Sequence, residues 1–128
     1  MITILAAKGT HYLIEIMNEW RERYHEDKMT GDIIFQNKRL FSNVKFTTRS
    51  FHEVQKHSAG FENIPDVIAN PDEVWSLWED RKVQRVVLRN YIKFGRACYV
   101  VQTRDGVVTD AFSVSSAACN KYRKGVLM

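Results

Sequence analysis

The chain has 128 residues, 45% hydrophobic and 27% charged, with six Gly, two Pro, seven Phe, five Tyr and three Trp. That composition excludes a solvated coil, which could not shelter so many aromatic rings, and it suits one globular domain spanning 1–128. The apolar run at 1–7 is far short of the roughly 18 residues a membrane span needs. It also lacks the basic flank and cleavage pattern of a secretory signal, so a cytoplasmic protein with no membrane association is expected.

Net charge is +4, but it is unevenly spread. Residues 1–40 are balanced and residues 41–80 sum to −4, whereas residues 81–128 carry ten basic and two acidic side chains, +8. With Tyr91, Phe94, Tyr99, Phe112 and Tyr122 interleaved, that last segment suits a polyanion binder, or else a solvated basic face.

In chain order, Leu13, Met17, Trp20 and Tyr24 form a helical apolar stripe, with Thr10 as N-cap and Glu15, Glu19, Glu22 and Arg23 facing water. This predicts a helix from about 11 to 27, stopping near Met29-Thr30-Gly31. Ile33-Ile34-Phe35 and Val44-Lys45-Phe46 read as short strands. Ser50-Phe51-His52-Glu53 has the pattern of a capping box opening a short helix that Gly60 closes. Asn63-Ile64-Pro65 starts another, ended by Asn70-Pro71. From Val74 the pattern becomes strand-like over 83–92, 98–104 and 107–114, with Asp105-Gly106 as a two-residue type I′ hairpin turn. Helices followed by sequential strands predict an α+β fold, with N-terminal helices packed on a C-terminal antiparallel sheet.

The chemistry-bearing residues are few. Cys98 and Cys119 lie in no C-x-x-C pair and have no nearby His, so they read as buried thiols; neither metal nor cofactor is implied. His11 and His25 suit solvated positions on the first helix. His52 and His57 are five apart, about 140° around a regular helix, so they share one site only if the helix breaks between them. Otherwise one is exposed and the other caps a helix end. Period-two alternation puts Thr109, Ala111, Ser113 and Ser115 on one strand face, either a hydroxyl floor for phosphate oxygens or an ordinary wet face. Lys121-Tyr122-Arg123-Lys124-Gly125 is either a phosphate-facing cation cluster or a basic tail. P-loop, dinucleotide-binding, nucleophile-elbow and H-E-x-x-H motifs do not occur.

Several of these residues together carry a resemblance. The run Thr47-Thr48-Arg49-Ser50-Phe51-His52, with His57, is followed by Ile64-Pro65-Asp66-Val67-Ile68-Ala69-Asn70-Pro71-Asp72-Glu73-Val74-Trp75. Later come Val108-Thr109-Asp110-Ala111-Phe112 and Lys121-Tyr122-Arg123-Lys124-Gly125. Over about 44–126 the chain resembles phage-associated members of the barnase–EndoU–colicin–RelE superfamily of nucleases. The resemblance implies a barnase/EndoU-like nuclease fold and a metal-independent, toxin-like endoribonuclease of the host-cell cytoplasm. Its partners would be RNA, tRNA included, and an inhibitor (immunity) protein or a phage head protein.

Resemblance and residue chemistry converge on 2′-OH attack giving a 2′,3′-cyclic phosphate. His52 and His57 would be the acid/base pair, because imidazole populates both protonation states near neutrality. Lys121 and Arg123 would stabilise the phosphorane, Thr109 and Ser113 would orient phosphate oxygens, and Tyr122 would stack on a base. The alternative is a non-catalytic phage accessory or head-associated module binding nucleic acid or protein. A sugar-nucleotide transferase is a weaker rival, since no glutamate-centred motif occurs.

Overall fold

The protein is described from a computed structural model covering residues 2–37, 42–57, 61–79, 82–90 and 97–128; for 2–10, 42, 57, 79 and 82–90 only the backbone is described. Helix α1 spans Ile2–Arg23 and buries Leu13, Ile16, Met17 and Trp20. Glu15, Glu19, Glu22 and Arg23 face water, as the stripe predicts. Both ends differ from expectation. Thr10 is interior rather than an N-cap, because one internal glycine costs a long helix only about 1 kcal/mol. The far end stops at Arg23, since His25–Glu26 leaves the helix to form β1. Asp27 and Thr30 side chains then accept the Met29 and Asp32 amides, and Gly31 at φ +77° closes the turn.

Strands β2 (Ile33–Asn37) and β3 (Ser42–Phe46) pair antiparallel and alternate Ile33, Phe35, Val44 and Phe46 into the core. Helix α2 (Thr48–Val54) runs into a 3-10 turn at Gln55–His57. Helix α3 (Ile64–Ala69) starts after Asn63 with Pro65 in its first turn and ends at Asn70, as read from the sequence. Then come β4 (Glu73–Glu79), β5 (Lys82–Asn90), β6 (Ala97–Arg104) and β7 (Val107–Ser115). The chain closes with helix α4 (Ser116–Cys119), a 3-10 turn at Asn120–Tyr122 and β8 (Val126–Leu127). The expected helix closure at Gly60 and the end of the strand at 91–92 lie outside the described residues.

Among the described residues, one sheet runs in the order β1-β2-β3-β7-β6-β5-β4-β8. The fold is α+β, consistent with a barnase-like nuclease. The sheet is mixed rather than purely antiparallel: β3 meets β7 in parallel at Lys45 and Val107, held by Lys45 N–H donating to Gly106 O at 2.8 Å. The predicted β6–β7 hairpin turns at Asp105 (φ +55°) and Gly106 (φ +81°), the two left-handed positions of a type I′ turn.

The sheet has two unlike faces. On one, α1, α2 and α3 bury Trp20, Phe46, Phe61, Tyr99, Val101, Val108 and Ala111 in a single core. On the other lies a thin cluster of Cys98, Val100 and Cys119 flanked by Trp75, Phe112, Val114 and Tyr122. Strand alternation separates them, since Val100 and Val101 on β6, like Ala111 and Phe112 on β7, belong to opposite clusters.

Candidate active-site cleft

Helix α2 is anchored one turn earlier than its sequence suggests. Thr47, not Ser50, is the N-cap: its Oγ1 accepts the Ser50 amide at 3.1 Å, while the Thr47 amide donates to Ser50 Oγ at 3.0 Å. Ser50 therefore sits at the third helical position, buried, and its hydroxyl donates to Val108 O on β7 at 2.6 Å. The capping-box expectation for Ser50–Glu53 fails because Ser50 lies inside the helix, where its oxygen accepts the Thr47 amide rather than that of Glu53. Glu53 is left to face outward, 3.3 Å from Lys56.

With Ser50 and Val54 inward, Arg49, His52 and Glu53 fall on one outer face of α2, at spacings of three and four from Arg49. His52 is exposed, and its Nδ1 lies 3.2 Å from Gln55 Nε2. An amide N–H donating there leaves the neutral ring's proton on Nε2. The helix ends at Val54, between the two histidines. The backbone of His57 closes the 3-10 turn, and its side chain lies outside the described part.

Opposite α2, the β6–β7 ladder slips. Val108 faces Thr103 but Asp110 faces Gln102, so Thr109 is the extra residue of a β-bulge, its hydroxyl donating to Gln102 O at 3.3 Å. The bulge breaks the expected hydroxyl row. Val108, rather than Thr109, lines up with Ala111 and Ser113, and Thr109 turns toward α2. Between them opens a cleft of about 570 Å³ lined by Arg49, Glu53, Arg104, Asp105, Val107, Val108 and Thr109. Two guanidiniums, two carboxylates and a hydroxyl line it, while His52, next to Glu53 in the chain, is exposed on α2 and is not among the lining residues. Guanidinium forks suit phosphate oxygens. A larger cleft, about 680 Å³, lies where β2 and α3 meet; among the described residues it is lined by His25, amides and apolar side chains but by no Lys, Arg, Asp or Glu.

The C-terminal cations lie elsewhere. Arg123 forms a two-pronged ion pair with Glu73, Nε to Oε1 at 2.6 Å and Nη2 to Oε2 at 3.0 Å, and its Nη1 donates to Asn120 Oδ1. Trp75 Nε1 also donates to Glu73 Oε1, at 2.9 Å. These bonds, Arg123 first, hold the Glu73 carboxyl below its usual range, and Glu73 in turn raises Arg123. Tyr122 packs its ring on Phe112 at 5.0 Å, with Lys121 Nζ 5.2 Å from the Tyr122 ring. Beneath, burial pushes the Cys119 thiol up to about 12, with Cys98 adding to the effect, as suits inert core thiols. Lys121, Tyr122 and Arg123 therefore belong to the outer face of the sheet and are not brought to His52. Strands β7 and β4 are three spacings apart in that sheet, on the order of 14 Å. Ser113 is exposed on β7 opposite Tyr99, away from the bulge.

Of the site residues singled out in the sequence, Thr109 lines the cleft, and His52 lies on the same helix as two of its other lining residues. Arg49, Glu53 and Arg104 were missed. The first two carried a usable signal, an i,i+4 pair beside His52; Arg104 carried none beyond its place before Asp105-Gly106. Among the described residues, no group of three or more His, Cys, Asp or Glu is placed to hold a metal ion, and no helix is long and apolar enough to cross a membrane. No curated protein and no solved structure matches the chain. A family profile does, and it takes in the cleft and almost the whole fold: matched over residues 11–128, the chain belongs to the family described as phage-Barnase-EndoU-ColicinE5/D-RelE like nuclease2, the group its sequence resembles.

Proposed function

We propose that this nuclease-family protein is an endoribonuclease acting in the α2–hairpin cleft without a metal ion. The observation that supports this reading is the cleft that Arg49 and Glu53 of α2 form with Arg104 and Thr109 of the hairpin, on the helix that also carries the exposed His52. One imidazole of the His52/His57 pair takes the proton of a ribose 2′-OH as its oxygen bonds to the adjacent phosphorus. The P–O5′ bond breaks, and the leaving oxygen takes a proton from the other imidazole. The products are a 2′,3′-cyclic phosphate and a 5′-OH. Arg49 and Arg104 take over the phosphorane-stabilising role first considered for Lys121 and Arg123, because guanidiniums at the cleft are positioned to follow developing negative charge.

The test is cleavage of a single-stranded RNA and of the DNA of the same sequence, both in excess EDTA. RNA should be cut and DNA spared, since DNA lacks the nucleophile. His52→Ala should lower the rate by about 100-fold or more while leaving an exposed position's fold intact. DNA cleavage, a magnesium requirement, or full activity of His52→Ala would each overturn the assignment. RNA binding without cleavage would favour the non-catalytic accessory module.

A further inference from the structure

Ser50 is one of the few buried polar side chains among the described residues, 1% exposed. A hydroxyl in a core is costly unless its bonds are satisfied, and this one has three partners, the Thr47 hydroxyl at 3.2 Å among them. It accepts from Thr47 N–H at 3.0 Å and donates to Val108 O at 2.6 Å, across 58 residues of sequence. Helix capping needs only the acceptor half, because Thr47 already caps the first turn. The donor half does something else: it ties the first turn of α2 to the strand residue immediately before the bulge.

That tie has a particular place in the cleft. Ser50 follows Arg49 and lies one short turn before Glu53, while Val108 precedes Thr109; Arg49, Glu53, Val108 and Thr109 all line the cleft. An apolar contact would let α2 slide or rotate on the sheet, because hydrophobic packing is not directional. A short hydrogen bond to a single carbonyl sets both distance and rotation. We propose, building on the nuclease reading of this cleft, that Ser50 is a positioning residue: its bond to Val108 O sets how Arg49 and His52 on α2 stand against Arg104 and Thr109 on the hairpin.

The experiment compares Ser50→Ala with Val54→Ala, a core truncation in the same helix that leaves the Ser50 bond in place. Both lose stability, and both are assayed well below their unfolding temperatures, with rates referred to folded protein. Ser50→Ala should lower kcat on RNA by roughly tenfold or more with KM changed less than about twofold, as small misplacements of reacting groups do. Val54→Ala should stay within about threefold of the wild type. Equal losses in the two variants, or a kcat unchanged in Ser50→Ala, overturn the inference. Inorganic phosphate, followed through the Arg49 and Arg104 side-chain NMR signals, reads the same geometry without cleavage. Wild type and Val54→Ala should bind it alike and Ser50→Ala at least about fivefold more weakly. Equal binding by all three proteins, or none by the wild type, also overturns it. A wild type that cuts no RNA but shows this phosphate difference overturns the nuclease reading and leaves the positioning role standing.

Discussion

The two faces of the sheet solve the same problem, covering apolar side chains, in opposite ways. The helix face does it with bulk. Trp20 from α1 stacks on Phe61 at 4.9 Å and meets Phe35 and Phe46 edge-on at 5.6 and 5.4 Å, and the chain brings three helices to that side. Among the described residues, the outer face is covered by a four-residue helix and a 3-10 turn, and polar clasps hold it: Arg123 on Glu73, and edge strand β8 on β4. The difference teaches where cations are available. On the outer face, Arg123 is consumed in holding the structure. On the helix face, packing carries the stability, and Arg49 on α2 stays at an open cleft. A basic residue in a nuclease is thus a candidate for phosphate only after its structural duties are known.

The contrast is sharpest where the helix face is cut. Trp20→Ala should cost about 3–5 kcal/mol, the range for removing a large buried ring, and denaturant titration should show most of the protein's stability gone. A loss below about 1 kcal/mol would mean that α1 contributes little to the core.

Gly125 tests the outer clasp. It sits at φ +90°, and a Cβ built on it would lie 2.1 Å from Ser76 O, so Gly125→Ala should cost about 2 kcal/mol and release β8. The readout is hydrogen exchange at the Met128 amide, which donates to Val74 O at 2.8 Å. Its protection should vanish while core amides of β6 keep theirs.

The smallest effect is the most discriminating. Arg123→Ala should lower stability by about 1 kcal/mol, since the pair with Glu73 is close to 30% exposed and solvent screens it. Because Glu73 titrates below its ordinary value of 4.5 when folded, its contribution is fully present above that value. It is lost as pH falls through the lower, folded value, and in Glu73→Gln that part of the acid slope should disappear. Cleavage by folded Arg123→Ala should remain within about threefold of the wild type. A loss comparable to that of His52→Ala would return Arg123 to the site and overturn the division between faces.

Some of this was legible from local pattern. The α1 stripe, the limits of α3 around Asn63 and Asn70, the Asp105-Gly106 hairpin and the α+β class all rest on periodicity, proline geometry or glycine φ, and those act within a few residues of the chain. The motif around His52 likewise pointed to the family. What the pattern could not carry were choices made by partners far along the chain. The helix starts at Thr47, so Ser50 falls inside it as a buried donor to Val108 O rather than as its cap, and Thr109 left the expected hydroxyl row because one residue slipped against Gln102. Arg123 left the expected site because Glu73, fifty residues away, took its guanidinium. The amino-acid sequence by itself determined the main helical and strand segments, though not the ends of the first helix, and where charge accumulates along the chain. Only the tertiary structure decided which face each charge lands on, because a sheet's side is set by long-range register and a one-residue shift reverses it.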